Sequence, residues 1–251
     1  MASGSRGNAS LIEAGGTTVL VDCGLPVREL EKRIVLVGKN PKKVEAVFLT
    51  HEHRDHLSGL VAFCHKYNAL AFVHEKVFYK FSYLFEKIRD NVRVFSFSDF
   101  YFGSLTVSPF ELCHDSVCCV GFAFYCGGKK VSFATDTGYL PDVALEAMQG
   151  SDIVFLESNH DQKMLLFGPY DARLKRRIAS EEGHLSNADC AKAVVGLARG
   201  GTKSFVLCHL SQENNLPEIA RNTVAEAAVD AGYQIELEVA SQNNPTKIFV
   251  M

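Results

Sequence analysis

The segment His51-Glu52-His53-Arg54-Asp55-His56 places four potential metal ligands, His51, His53, Asp55 and His56, within six residues. It follows the apolar run Ala46-Val47-Phe48-Leu49 and precedes Leu57, Leu60, Val61 and Phe63 at helical spacing. It therefore occupies a strand-to-helix turn. A short turn lets His51 and His53 point one way and Asp55 and His56 another, which can feed two adjacent cations. Imidazole and carboxylate together suit Zn, Mn or Fe without selecting one. A turn that merely caps a helix would use Asp55 and leave three histidines without a task.

A site of two cations needs further ligands at strand ends, where side chains can reach the same edge. His114 ends Phe110-Glu111-Leu112-Cys113, Asp136 follows Val131-Ser132-Phe133-Ala134-Thr135, and His209 ends Phe205-Val206-Leu207-Cys208. His160 follows Glu157 at the end of another apolar strand, where it can orient a ligand, touch substrate or serve only packing. His65 and His74 read as structural. The helix Ala172-Arg173-Leu174-Lys175-Arg176-Arg177-Ile178 carries four cations. With Leu174 and Ile178 turned to the core, Arg173 and Arg176 are candidates for gripping a phosphate backbone. Phe167 and Tyr170 nearby could stack on an unpaired base. Ser5 and Asn8, in the loop Ser3-Gly4-Ser5-Arg6-Gly7-Asn8, are further candidates for contacting a phosphate.

The positioning elements are short strands alternating with helices. Strands are expected at 18–21, 46–49, 69–73, 104–107, 120–125, 131–134, 153–156, 204–207, 234–239 and 247–250. Helices are expected at 26–37, 56–67, 75–89, 143–148, 172–179, 186–198 and 216–231, with Ser186 capping one of them. The length of 251 residues and 47% apolar content suit an ordinary globule, read as a single domain over 1–251. A net charge of −3 argues against a generally basic nucleic-acid coat but leaves room for a local patch. No apolar run can span a bilayer, and the first residues are polar, which points away from a signal peptide and the membrane. Eight cysteines include no C-x-x-C pair and read as reduced core thiols, so a cytoplasmic location is expected.

His-x-His-x-Asp-His, a strand-end His, Asp136-Thr137-Gly138 and a late strand-end His together resemble the metallo-β-lactamase superfamily. Ser3-Gly4-Ser5-Arg6-Gly7-Asn8, Asp136-Thr137-Gly138-Tyr139, Glu157-Ser158-Asn159-His160-Asp161, Gly168-Pro169-Tyr170, Gly183-His184-Leu185-Ser186-Asn187 and His209-Leu210-Ser211 narrow the resemblance. They look like the bacterial YycJ/WalJ subgroup of DNA exonucleases. The chain departs from the family in beginning almost at the Ser-Gly-Ser loop; either an edge strand is absent or the given sequence starts late.

The resemblance implies a four-layer αβ/βα sandwich. It implies that His51, His53 and His114 hold one divalent ion, that Asp55, His56 and His209 hold a second, and that Asp136 bridges them. A hydroxide shared by the ions would be the nucleophile, oriented by Asp55. His184 resembles the non-ligand catalytic histidine of related phosphodiesterases, where a Glu just before the bridging Asp supports it. Here that position is Phe133, so the partner of His184 is open, and a plain cap histidine is the alternative. The implied function is a metal-dependent phosphodiesterase, a 5′→3′ exonuclease with DNA favoured as partner. An RNA or small-molecule phosphodiesterase, a thioesterase, and a non-catalytic metal-binding regulator are the alternatives. Metal identity, strand polarity and oligomeric state stay open.

Overall fold

Residue-by-residue alternation of apolar side chains builds this fold, because each strand serves two surfaces. A computed structural model describes residues 1–250. In chain order the elements are β1 (Ser10–Ala14), β2 (Thr17–Val21), α1 (Val27–Leu36), β3 (Ala46–Phe48), α2 (Arg54–Leu57), α3 (Leu60–Tyr67), β4 (Leu70–His74), α4 (Glu75–Phe81) and β5 (Val92–Phe95). There follow β6 (Phe100–Phe102), β7 (Leu105–Leu112), β8 (Cys119–Cys126), β9 (Lys129–Ala134), α5 (Asp142–Met148), β10 (Ile153–Glu157), α6 (Gln162–Phe167) and α7 (Ala172–Ile178). The last elements are α8 (Asn187–Arg199), β11 (Ser204–Cys208), α9 (Pro217–Asp230) and β12 (Glu236–Val239).

The strands form two sheets, one of five in the order β1-β2-β3-β4-β5 and one of seven in the order β12-β11-β10-β9-β8-β7-β6. β2 to β5 run parallel, as do β9 to β12, whereas β1–β2 and β6 to β9 pair antiparallel. On β11, Val206 and Cys208 face the core shared with the first sheet, while Phe205 and Leu207 face α5, α8 and α9. Ile153 and Phe155 against Val154 and Leu156 repeat the split on β10. The expected four-layer sandwich is the observed architecture.

Between the sheets, Phe48 stacks on Phe72 at 4.6 Å and meets Phe122 and Phe124 edge-on at 5.8 and 5.3 Å. This aromatic wall lies directly behind the turn that begins at Leu49. It fixes the base from which His51 and His53 project.

Several expected elements need correction. The helix expected at 56–67 starts earlier and is broken at Ser58-Gly59, giving α2 and α3. Gly59 packs against the loop after β2; its N–H donates to Cys23 O at 2.8 Å, and a Cβ there would lie 2.1 Å from Leu25 O. The helix expected at 75–89 ends at Phe81 and continues as a 3-10 segment, which places Phe85 and Ile88, three apart, in the core. The strand expected at 247–250 does not form. Side chains rather than a strand ladder hold this segment: Lys247 pairs with Glu236, and Phe249 packs its ring 6.4 Å from Phe155. β1, β5, β6 and α6 were absent from the sequence reading; all are six residues or shorter. Ser186 caps α8 as expected, its Oγ accepting from Asp189 N. All eight cysteines are free. No helix among the described residues is long and apolar enough to cross a membrane.

Phe48→Ala should lower the unfolding free energy by ~3–5 kcal/mol, the cost of emptying a buried aromatic site. Equilibrium urea unfolding reads this, and a loss under about 1 kcal/mol would mean that the inter-sheet wall does not carry the core.

Candidate metal centre

Strand ends of both sheets deliver the candidate ligands to one edge of the sandwich. The first cluster rises from the turn after β3. His114 follows β7, Asp136 follows β9 and His209 follows β11. Three non-glycine residues at these strand ends adopt left-handed backbone: Asp22 after β2 (φ 61°), Asp136 (φ 62°) and His209 (φ 54°). Such conformations cost roughly 1–3 kcal/mol each and persist where the surroundings over-determine them.

The structure brings all seven sequence-predicted ligands together. His51, His53 and His114 form one group and Asp55, His56 and His209 another, with Asp136 grouping with His51 and His56 and separately with His209. The rings of His51 lie 4.7 Å from His53, 4.2 Å from His56 and 5.2 Å from His114. Asp136 Oδ2 is 3.2 Å from His56 Nε2, and its Oδ1 is 3.1 Å from His209 Nδ1. Asp55 Oδ2 is 3.4 Å from Nε2 of both His56 and His209.

Four of these imidazoles are anchored through Nδ1. His51 Nδ1 is 3.0 Å from Thr50 Oγ1, His56 Nδ1 is 2.7 Å from Asp22 Oδ2, His114 Nδ1 donates to Gly183 O at 3.0 Å, and His209 Nδ1 donates to Glu157 Oε1 at 3.0 Å. With Nδ1 protonated, Nε2 carries the lone pair that a metal needs. His51 Nε2, His209 Nε2 and Asp136 Oδ2 are buried without a hydrogen-bond partner. Orphaned acceptors of that kind cost about 1–3 kcal/mol each unless something fills the space between them. The donor set of nitrogen and carboxylate oxygen fits a divalent cation.

The electrostatics agree. Burial tends to strip His209 of its proton, but Asp136, Asp55 and Glu157 outweigh it and raise its pKa to about 10. Burial also raises Asp55, yet His209 and His56 beside it hold its carboxyl below the ordinary range. The cluster is thus a strongly anionic cage that recruits positive charge, whether protons or metal.

Four residues that the sequence reading passed over complete the site. Asp22 holds His56 and accepts from Thr50 N at 2.9 Å. Glu157, fully buried at the end of β10, accepts from His184 Nδ1 at 2.8 Å and from His209 Nδ1, while its Oε2 accepts from Thr137 N at 2.8 Å and Leu185 N at 3.2 Å. It is the partner of His184 that was left open at Phe133. Burial raises Glu157, but His184 and the hydrogen bonds bring its pKa down to about 2. Burial alone would lower His184, and Glu157 instead raises it. Asp115 pairs with Arg177, and its Oδ1 lies 3.3 Å from His114 Nε2. Asp22 and Glu157 each end an apolar strand, the same signal that picked out His114 and His209.

Beside the cluster a cavity of about 160 Å³ is lined by Ser5, His114, Asp115, Arg177, His184 and His209, with Leu174 and Ile178 in its wall. Leu174 and Ile178 were expected to face the core. Instead no residue of α7 is buried, because the helix overhangs the site rather than packing on a sheet. Arg173 and Arg176 are exposed, and neither lines this cavity, which takes Arg177. Asn8, expected to touch substrate, is buried. Its amide reaches Asp55 Oδ2 at 3.2 Å and His56 Nε2 at 3.0 Å, and Gly4 N donates to its Oδ1. Gly24 lets this loop close in, since a Cβ there would sit 1.6 Å from Asp55 O. His160 is buried away from this cavity. His74 caps α4 and His65 is exposed; neither joins the cluster.

Residues 17–210 match the family model for the β-lactamase superfamily domain. The chain belongs to the metallo-β-lactamase superfamily. It is 34% identical over 254 residues to exodeoxyribonuclease YycJ of Bacillus anthracis, covering 99% of this chain and 96% of that one. It is 33% identical over 245 residues to exodeoxyribonuclease WalJ of Streptococcus pneumoniae serotype 2, covering 95% and 91%. Among solved structures, the metallo-β-lactamase fold protein YhfI from Bacillus subtilis matches with a TM-score of 0.72 at 19% identity, covering 96% of this chain and 92% of its own. As a member of this superfamily the chain is a metal-dependent hydrolase.

Glu157→Gln sets an amide where both histidines need an acceptor. If its oxygen keeps the backbone N–H groups, its NH₂ forces the other tautomer on His184 and His209. Metal affinity or turnover should fall ~10–100-fold. Metal titration and steady-state rates check this, and wild-type values for both would remove Glu157 from the site.

Proposed function

We propose that this protein is a phosphodiesterase acting on nucleic acid, with DNA the favoured substrate and 5′→3′ exonucleolysis the favoured mode. One observation carries the reading. His184, which groups with Asp136, Glu157 and His209, has its Nδ1 turned to Glu157 and lines the cavity beside the cluster together with Arg177. A histidine and a guanidinium beside a cation cage match the needs of a phosphodiester better than those of an acyl substrate. The exodeoxyribonuclease names of the two full-length relatives support DNA and the exo mode.

In this reading His51, His53 and His114 hold one divalent ion, Asp55, His56 and His209 a second, and Asp136 is shared. Zn or Mn fits, and Fe is compatible. When bound, the ions supply an acidified water and neutralise charge on the phosphate oxygens. Asp55 orients the attacking oxygen through its carboxylate. Arg177, its Nε–H given to Asp115, offers its remaining N–H groups to a non-bridging phosphate oxygen. His184, kept protonated by Glu157, delivers its Nε2 proton to the departing sugar oxygen. Arg173 and Arg176, exposed on α7, attract the flanking backbone in a salt-dependent way. Ser5 stands at the cavity wall near the same phosphate. Free, mostly buried thiols suit a reducing compartment, and the cytoplasm is the proposed location.

The experiment is product mapping on 5′-labelled duplex DNA, single-stranded DNA, RNA and a thioester, with Zn or Mn. Nucleotides released stepwise from the 5′ end of DNA are expected. Turnover of the thioester alone would overturn the reading, and inertness on every substrate with metal bound would favour a non-catalytic role. His184→Ala should retain metal and lose ~10²–10⁴ in rate. An unchanged rate would return His184 to a capping role.

A further inference from the structure

A second cavity, of about 370 Å³, lies on the other side of α7 and shares His184 with the first. α7 divides the two. Leu174, Arg177 and Ile178, at i, i+3 and i+4, line the first, while Lys175, Arg176 and the capping residue Ala179 line the second. The second cavity thus begins where the scissile phosphate would sit and leads away from the metal ligands.

Its lining is amphipathic. Leu165 and Leu166 of α6 offer an apolar surface, and Lys175 and Arg176 supply positive charge. Lys175 Nζ donates to Leu166 O at 2.8 Å, tying α6 to α7 across the wall. Two polar groups complete the lining. Asp189, half-exposed, accepts from Ser186 Oγ and pairs with Lys192, and His160, 3% exposed, has a buried Nδ1 with no hydrogen-bond partner. The volume falls within the ~300–1,000 Å³ usual for small-ligand sites.

We propose that this cavity holds the nucleoside adjoining the scissile phosphate, with the base against Leu165 and Leu166, its polar edge toward His160 and Asp189, and the next phosphate on Lys175 and Arg176. A fatty acyl group would leave His160 Nδ1 without a partner and Lys175 without a counter-charge, and a free phosphate would fill only the cationic wall. A nucleotide presents an apolar face, hydrogen-bonding edges and an anion in one unit. His160 thereby gains the role in substrate contact that its distance from the first cavity denied it. The inference rests on the phosphodiesterase reading above.

The test uses the dinucleotide TpT, titrated into the metal-free full-length protein and followed by the histidine side-chain NMR signals. Binding should shift His160 and His184 in the wild type. Ala179→Trp, which fills the cavity from an exposed position, should weaken binding about tenfold or more. Leu166→Asp, also exposed, sets a negative charge in the wall and should do the same, so the result does not depend on one bulky substitution. Absent shifts in the wild type, or equal affinity in both variants, would overturn the inference. With metal loaded, the ratio of kcat/KM for 5′- and 3′-thymidine 4-nitrophenyl phosphates to that for methyl 4-nitrophenyl phosphate should fall about tenfold in Ala179→Trp. An unchanged ratio with active enzyme defeats the nucleoside site and leaves the phosphodiesterase reading standing. TpT binding at the cavity without hydrolysis of any phosphodiester defeats that reading instead.

Discussion

An imidazole has two nitrogens, and only one can face a cation. Everything at this site depends on fixing the other. Thr50, Asp22, the Gly183 carbonyl and Glu157 each take one Nδ1, so that four rings converge with the same tautomer. Each of these anchors comes from a different segment, three of them beside a strand end and one from the loop before α8. The pattern therefore exists only when the sheets are in register. Fold and chemistry are linked at that point: the aromatic wall around Phe48 holds the β3 turn, and the anchors translate that rigidity into ring orientation.

The same anchors explain how so many ionisable groups are tolerated in the interior. An isolated buried carboxylate is costly, but Glu157 receives four hydrogen bonds and is stabilised in its charged form. The left-handed backbone at Asp22, Asp136 and His209 turns each side chain abruptly at the end of a strand. That strain is held by strands whose two faces are both packed, so it does not relax. Where packing on the body is absent, in α7, the helix carries charge and overhangs the site, tied back by Arg177 to Asp115 and by Lys175 to the end of α6.

Much of this was legible in the sequence. The cluster from His51 to His56 is local, and its spacing at a strand-to-helix turn signals a metal site without reference to the rest of the chain. His114, Asp136 and His209 were readable because each terminates an apolar strand. Asp22 and Glu157 carry the same mark and were missed, since a carboxylate that holds a histidine has no short-range motif of its own. Glu157 meets His184 only because β10 lies between β9 and β11. The basic helix misled for a physical reason. Leu174 and Ile178 have the spacing of a core-facing stripe, but spacing does not say whether the apolar face meets a sheet or a cavity. The break at Gly59 was hidden in the same way, because it is set by the approach of the Leu25 loop and not by the helix's own composition.

X-ray absorption at the zinc edge of the metal-loaded protein tests the central claim most directly. Convergent Nε2 atoms and carboxylates should give a nitrogen and oxygen shell with strong imidazole scattering and no sulfur, although Cys119 Sγ lies only 3.9 Å from His51 Nδ1. A sulfur shell, or one lacking imidazole scattering, would contradict the arrangement of anchored histidines from which the rest is built.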